Sequence, residues 1–420
     1  MFGLLGKTLN YSLSPVIHAS LGDSNYQLWE SNDLEQFMKS CHFEGMNVTI
    51  PYKEAIIPYL DGIDGIAKTI GCVNTVVKRD GQLIGYNTDY YGLFKLLQYH
   101  KIELKNKTVL IVGNGGAAKT ATLLAHNLGA KIVTKICRKP RMDDEIFLTE
   151  ITQVIDYEII INTTPVGTYP HNDDSFLFSL LEFKKLEAVI DLVYNPLKTK
   201  LLIEAESLNI KTANGLYMLV MQAKAARELF TNDTNIDHQL AKKIYFDLLM
   251  SKYNLVLVGL PLSGKSLYAD LLSMRYQKKL IDTDALIEQE EGMRIYEIFD
   301  KMGEPYFRNL ESMLVDRLYK TNSQVISTGG GMIMNADLMQ KLKQNGIIIY
   351  LDKDYHRIMS VEIKNRPLIK KPEDVEKLAL IRRPYYERYA DIQILMNRRS
   401  DEIILEIEEK LNDYFNRQWS

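Results

Sequence analysis

The 420-residue sequence predicts an α/β protein built on parallel sheets. Three observations carry that expectation. The apolar run Val109-Leu110-Ile111-Val112 leads directly into Gly113-Asn114-Gly115-Gly116-Ala117-Ala118. A second run, Leu255-Val256-Leu257-Val258, leads directly into Gly259-Leu260-Pro261-Leu262-Ser263-Gly264-Lys265-Ser266. Around both, short apolar runs alternate with stretches of helical period, as expected of strands covered by helices on both faces.

Length points to two or three domains. A composition of 46% hydrophobic and 25% charged residues supplies several cores. The net charge of -3 gives no sign of a nucleic-acid partner. Cys41, Cys72 and Cys137 are odd in number and far apart, which fits a reducing compartment better than a disulfide frame. No apolar run approaches the ~18 residues of a membrane span. No signal-peptide pattern opens the chain. A cytoplasmic protein with no membrane partner is expected, and its oligomeric state stays open.

The elements follow in order. Residues 1–90 alternate short apolar runs with turn residues, as in a small α/β layer. Leu93, Leu96 and Leu97 share one helical face over 91–100. A βαβ pattern follows: strand 109–112, glycine loop, helix to Leu128, stop at Gly129, strand 131–136. Further strands are expected at 158–161 and 188–193. From Leu216 to Leu249 the period is helical, with Ile236, Leu240, Ile244 and Leu248 every four residues. The strand at 255–258 follows almost at once, so the boundary is placed near 250–253. The expected domains are therefore 1–250 and 251–420, the first divided at about 90 and 215. The second half continues through Leu280-Ile281-Asp282-Thr283-Asp284, a helical stretch, Val325-Ile326-Ser327-Thr328-Gly329-Gly330-Gly331 and a strand at 347–351.

The two loops differ in chemistry. The first fits G-x-G-x-x-G/A, in which glycines let the backbone approach a pyrophosphate at a helix N-terminus. The second fits G-x-x-x-x-G-K-[ST], which cradles phosphates and adds a lysine and a Mg²⁺-side hydroxyl. A redox cofactor site and an ATP site are expected on one chain.

Other patterns surround the first loop in fixed order. They are Ser12-Leu13-Ser14-Pro15, Asn47 through Lys53, Gly71-Cys72-Val73-Asn74-Thr75, Gly85-Tyr86-Asn87-Thr88-Asp89, Asn162-Thr163-Thr164-Pro165-Val166-Gly167, Asp191 through Pro196, and Asn214-Gly215-Leu216 on to Gln222. The set resembles shikimate dehydrogenase over about residues 1–250. The resemblance implies an α/β substrate-binding part, a Rossmann part and reduction of 3-dehydroshikimate to shikimate. It implies that Lys53 and Asp89 share the proton work, that Ser12 and Ser14 hold the carboxylate, and that Thr49, Asn74, Asn87, Tyr194 and Gln222 hold the ring. Cofactor contacts fall to Gly113, Asn114, Gly115, Gly116, Ala117, Thr163 and Gly215. NAD sites usually place an acid about 20 positions beyond the loop, on the ribose. Here Cys137-Arg138-Lys139 stands there with Arg141 behind, and Arg138 and Lys139 suit the 2′-phosphate of NADP. Residue by residue, Lys53 also reads as a surface lysine, Asn74 as a turn residue and 138–141 as a basic turn.

Around the second loop stand Asp282-Thr283-Asp284, Phe307-Arg308 with Glu311, Gly329-Gly330-Gly331, Arg366-Pro367-Leu368-Ile369, and Arg382 before Pro384-Tyr385-Tyr386. This resembles shikimate kinase over about residues 253–400, a P-loop kinase domain of nucleoside-monophosphate-kinase type. The loop itself, through Gly259, Gly264, Lys265 and Ser266, is expected to take ATP. The resemblance implies Mg²⁺ on Ser266 and Asp282, Asp284 on the accepting hydroxyl, and Arg308 and Arg382 on the shikimate carboxylate. Glu311 would orient Arg308, Gly330 and Gly331 would meet the substrate through the backbone, and Arg366 would close as a lid. Gly292, Phe299 and Phe307 are candidate pocket walls. The plainer readings make Asp284 a helix cap and Arg308–Glu311 a surface pair. Together the halves imply consecutive steps on one metabolite. The alternatives are a quinate dehydrogenase using NAD, another small-molecule P-loop kinase, or a binding module without catalysis.

Overall fold

The computed structural model describes the chain except residues 11, 141–143, 177, 360–367, 370, 372 and 418–420. It divides into two compact units. One comprises Met1–Asn195 and Glu204–Leu249, the other Pro196–Ile203 and Met250–Ser420.

The first unit holds two six-stranded sheets. Strands β1 (Phe2–Gly6), β2 (Gln27–Glu30), β3 (Gly45–Val48), β4 (Gly62–Ile63), β5 (Thr75–Arg79) and β6 (Gln82–Tyr86) form the first, in the order β2-β1-β3-β5-β6-β4. The sheet is mixed, because β5 runs antiparallel to both β3 and β6. The β5–β6 hairpin turns on Asp80-Gly81, both at positive φ (50° and 80°). An Asp-Gly pair is favoured there because two left-handed residues match the twist of the flanking strands.

Strands β7 (Thr108–Val112), β8 (Ile132–Cys137), β9 (Glu145–Phe147), β10 (Ile159–Asn162), β11 (Ala188–Asp191) and β12 (Lys211–Asn214) form the second sheet. It is wholly parallel, in the order β12-β11-β10-β7-β8-β9. The chain builds outward from β7 to β9, then returns to β10 on the other side of β7. That reversal opens a crevice beyond the carboxyl ends of β7 and β10, where α/β sheets of this kind bind ligands. Val112 is in register with Asn162, so the glycine loop and Thr163 are neighbours across it.

The helical run expected from Leu216 to Leu249 is two helices, Leu216–Thr231 and His238–Lys252. Asn232 ends the first in a left-handed conformation at φ 55°. Asparagine tolerates that conformation better than most residues, and the polar stretch Asn232-Asp233-Thr234-Asn235 has no apolar period to continue a helix. The first helix packs on Thr88–Tyr99 and brings Gln222 over the first sheet's end of the unit.

In the second unit, β13 (Asn254–Val258), β14 (Lys279–Asp282), β15 (Gln324–Ser327), β16 (Gly346–Asp352) and β17 (Ile392–Leu395) form a parallel sheet ordered β14-β15-β13-β16-β17. β13 is central and buried along its whole length. Its carboxyl end therefore delivers the second loop to the middle of the sheet edge, with β14 and β15 bringing Asp282 and Thr328-Gly329-Gly330-Gly331 alongside.

Candidate active sites

In the first unit a cavity of about 440 Å³ is lined by Ser12, Ser14, Thr49, Lys53, Asn74, Asp89, Tyr194 and Gln222. Lys53 comes from the short helix Tyr52–Ala55 and Asp89 from the first turn of Thr88–Tyr99. Lys53 Nζ lies 2.6 Å from Asp89 Oδ2, and the side chains are 20% and 12% exposed. This is no surface lysine. Burial pulls the ammonium's pKa down, but the charge and hydrogen bond of Asp89 outweigh it and hold the pKa above the ordinary lysine value. Ser14 opens the helix Ser14–Ser20, and its backbone N–H donates to Ser12 Oγ at 3.2 Å; both serines line the cavity. Burial raises the Tyr194 phenol, so it stays neutral.

Asn74 is 3% exposed and buried in a polar network rather than a turn residue in solvent. Asn87 departs from the expectation. Its Oδ1 caps the helix Thr88–Tyr99 through Tyr90 N–H, and its Nδ2 donates to Cys72 O at 2.9 Å. Each end of the amide thus has a buried partner, and Asn87 is not among the residues lining the cavity. Asn47 takes a place that the sequence reading left empty: it lines the cavity and accepts from Tyr26 OH at 2.6 Å. Its position at the head of Asn47-Val48-Thr49 was the available signal.

The glycine loop passes from β7 into the helix Gly116–Asn127, with Gly115 at its N-cap. Gly113 stands at φ 114°, and a Cβ there would meet Thr163 Oγ1 at 2.6 Å. A Cβ on Gly116 would meet Cys72 Sγ at 2.7 Å, so glycine permits the helix to approach the substrate-binding part. At Gly115 a Cβ would meet nothing, leaving open space before a helix N-terminus, the arrangement a pyrophosphate needs. Asn114 Nδ2 donates to Lys139 O at 3.1 Å and ties the loop to the basic turn. Arg138 and Lys139 are exposed there; Arg141 lies outside the described residues. Thr163 spends its hydroxyl proton on Val112 O at 2.7 Å and reaches the cavity beside Ala117. Gly215 caps the helix Leu216–Thr231, and its missing side chain is a packing need, since a Cβ would stand 2.1 Å from Leu192 O.

In the second unit a cavity of about 860 Å³ is lined by Gly264, Lys265, Ser266, Asp282, Asp284, Arg308, Gly330, Gly331 and Arg382, with Phe299 and Phe307 as walls. Gly292 is not among them; it ends the helix Thr283–Glu291 at φ 65°. Gly259 (φ 154°) and Gly264 (φ 98°) shape the loop. Lys265 Nζ donates to the Gly259 and Leu260 carbonyls at 3.0 and 2.9 Å, folded over the space the loop encloses. Ser266 Oγ donates to Asp282 Oδ2 at 2.7 Å. The helix cap is Asp282, not Asp284: its Oδ1 accepts from the Asp284 and Ala285 N–H groups, both at 3.1 Å. Asp284 lines the cavity.

Arg308 NH1 donates to Glu311 Oε2 at 2.7 Å, and Glu311 is 1% exposed, so this is a buried device rather than a surface pair. The other edge of the guanidinium donates to Glu304 Oε1. Burial raises the Glu311 carboxyl, opposed by Arg308. Arg382 is 5% exposed and makes no ion pair among the described residues; its neighbour is the Tyr386 hydroxyl, which in turn donates to Gly330 O at 2.9 Å. A Cβ on Gly331 would lie 2.5 Å from both terminal nitrogens of Arg308, so the triple-glycine strand end must be bare. Arg366 lies outside the described residues.

Two family models match. That of the shikimate dehydrogenase substrate binding domain covers residues 4–76. That of shikimate kinase covers residues 261–412. A shikimate dehydrogenase (NADP(+)) of Clostridium perfringens is 37% identical over 267 residues, 59% of this chain and 98% of the relative. Among solved structures, shikimate dehydrogenase 1 of Peptoclostridium difficile is 36% identical with a TM-score of 0.55, over 59% of this chain and 97% of the other. A chorismate mutase/shikimate 5-dehydrogenase fusion protein of Clostridium acetobutylicum is 33% identical with a TM-score of 0.54, over 59% and 96%. The α/β architecture, the paired Lys53 and Asp89 and the loop-bearing parallel sheets agree with these likenesses: the chain belongs to the shikimate dehydrogenase family and carries a shikimate kinase domain behind it.

Proposed function

We propose that residues 1–250 reduce 3-dehydroshikimate to shikimate with NADPH, and that residues 251–420 phosphorylate the shikimate with ATP and Mg²⁺. One chain then performs two consecutive steps of the shikimate pathway. The observation that carries the reading is that each half, taken separately, points to the same metabolite. The pathway is cytoplasmic in this reading, where Cys41, Cys72 and Cys137 remain thiols.

NADPH, when bound at the Gly113–Ala117 loop with Arg138 and Lys139 toward its 2′-phosphate, supplies the hydride. The chain supplies the rest. Ser12 and Ser14 donate to the substrate carboxylate. Thr49, Asn74, Tyr194 and Gln222 fix the ring so that the 3-keto oxygen meets Lys53. The Lys53 ammonium, kept charged by Asp89, gives its proton to that oxygen as the alcohol forms.

In the kinase, Arg308 and Arg382 clamp the carboxylate by charge-assisted hydrogen bonds suited to planar forks. Asp284 positions the 3-hydroxyl and takes up its proton. Lys265 swings from the two carbonyls to the β- and γ-phosphates, whose charge must be held during transfer. Mg²⁺ usually binds through substrate phosphates plus one or two protein groups; Ser266 and Asp282 offer these, and the ion neutralises phosphate charge. A cavity of about 550 Å³, lined by Leu260, Tyr350, Lys353, Arg383 and Asn397, adjoins the loop and offers room for the base.

The test is one vessel holding the purified chain, 3-dehydroshikimate, NADPH, ATP and Mg²⁺. Shikimate 3-phosphate should accumulate, and NADPH consumption should run further than without ATP, because phosphorylation removes the product. Free shikimate with ATP untouched would sink the kinase assignment. Phosphorylation of added shikimate by a chain that never consumes NADPH would sink the reductase assignment.

A further inference from the structure

We propose that Thr88 is a positioning residue of the reductase, whose single hydroxyl orients two substrate-facing amides, Asn74 and Gln222. The proposal rests on the reading of this cavity as the 3-dehydroshikimate site. Thr88 is 4% exposed and does not line the cavity, whereas Asn74 and Gln222 do. It acts through them.

A buried chain of polar groups runs to this hydroxyl. Tyr26 OH donates to Asn47 Oδ1 at 2.6 Å, and Asn47 Nδ2 donates to Thr75 Oγ1 at 3.0 Å. Thr75 Oγ1 lies 3.1 Å from Asn74 Oδ1 and 3.1 Å from Thr88 Oγ1. The Thr88 backbone N–H donates to Asn74 Oδ1 at 2.7 Å, while Asn74 Nδ2 donates to Thr88 Oγ1 at 3.1 Å. Thr88 Oγ1 also lies 3.3 Å from Gln222 Oε1, and Gln222 Nε2 donates to Leu219 O at 3.0 Å. Asn74 precedes β5, whereas Gln222 sits in the helix Leu216–Thr231. One hydroxyl therefore joins two walls of the cavity.

Counting protons assigns the donors. A carbonyl oxygen accepts two hydrogen bonds and a hydroxyl donates one. Thr88 Oγ1 also lies 3.3 Å from Asn74 Oδ1, but the two shorter donors, Thr88 N–H and Thr75 O–H, fill that oxygen. In that arrangement the Thr88 proton goes to Gln222 Oε1. Asn74 has spent one N–H on Thr88 and keeps one for the cavity, with no acceptor left to offer. It can recognise only an oxygen lone pair on the substrate. Gln222 keeps one N–H and one lone pair. A ring hydroxyl that accepts from Asn74 must turn its own proton elsewhere, so the network sets the direction of hydrogen bonding as well as the place.

Thr88→Val keeps the shape and removes the hydroxyl. It should raise the KM for 3-dehydroshikimate about tenfold, the size of one or two lost or misdirected hydrogen bonds. The kcat should hardly change, because the loss is in binding rather than in proton transfer. The Kd for NADPH, followed by its fluorescence, should match wild type and report an intact unit. Thr88→Ser, which restores the hydroxyl, should recover the wild-type KM. Asn74→Ala and Gln222→Ala calibrate the reading beneath: if neither moves KM, the cavity does not hold the substrate as described. If they raise KM while Thr88→Val does not, the positioning role is overturned. Equal impairment in Thr88→Val and Thr88→Ser overturns it as well, since packing and not the hydroxyl would then matter.

Discussion

In the reductase cavity the proposed proton carrier is already paired, with Lys53 Nζ 2.6 Å from Asp89 Oδ2. In the kinase cavity Arg382 is more deeply buried, at 5% exposure, yet among the described residues no carboxylate comes within ion-pairing distance of it, Glu311 acting on it only from further off. On the proposed reading, the difference follows from what each site does with its cation. A lysine that must hand over a proton needs an internal anion to set its charge, whether or not substrate is present. An arginine that must capture a carboxylate is best left without one. An unpaired buried cation is unfavourable by several kcal/mol unless compensated, and on the proposed reading the substrate carboxylate brings the compensation. Arg308 lies between these cases, since Glu311 and Glu304 hold its two edges while its far end faces Gly331.

That comparison can be broken at several points. The largest effect is expected from Lys265→Ala, which removes the cation facing the transferred phosphate. ADP formation should fall by about 10³-fold, with NADPH oxidation unchanged; loss of both activities in a folded chain would contradict two separate sites. Lys53→Ala should slow NADPH oxidation by about 10²-fold or more, the range for a lost acid–base group, and spare the kinase. A fully active variant removes Lys53 from the chemistry.

Arg382→Leu separates the two kinds of cation most directly. The KM for shikimate should rise by about 10- to 100-fold, as for a lost charged hydrogen bond. The melting temperature should hold or rise, since an unpaired buried charge has been exchanged for an apolar side chain. A clear drop in melting temperature with unchanged KM would show Arg382 to be structural. Arg138→Ala with Lys139→Ala should raise the KM for NADPH about tenfold and leave that for NADH nearly untouched. Equal changes would remove these side chains from the 2′-phosphate.

The subtlest test is of pH. With Asp89 present, the folded-state pKa of Lys53 lies above its ordinary value, so the proton stays bound until pH rises through that folded value. Asp89→Asn removes the raising influence and leaves burial, which lowers it. The alkaline limb of the reductase profile should therefore move to lower pH. A limb that stays put would mean that Asp89 does not tune Lys53.

Much of both sites was legible in local pattern. The loops at 113–118 and 259–266 were, because a glycine loop between a strand and a helix is specified by neighbouring residues alone. Local pattern was ambiguous where one residue type serves two ends. Asn87 and Asn47 both stand in motifs of the first cavity, but only Asn47 is among its lining residues; Asn87 also satisfies the first turn of its own helix. Asp282 and Asp284 are two residues apart and both could cap, yet the helix starts so that Asp282 does so. The helical period from Leu216 to Leu249 hid a break at Asn232, because apolar spacing resumes on the far side.

By itself the sequence determined two parallel α/β nucleotide folds, the placing of their loops and the sign of the charge at Arg138 and Lys139. These depend on interactions a few residues long: strand hydrophobicity, glycine at a turn, a lysine beginning a helix. Only the tertiary structure decided which polar groups are spent and which are free. Lys53 meets Asp89 from 36 residues away, Asn74 meets Thr88 from 14, and Thr88 meets Gln222 from 134. A hydrogen-bonding group has a fixed number of protons and lone pairs, and whether one remains for a ligand depends on every partner that folding brings to it.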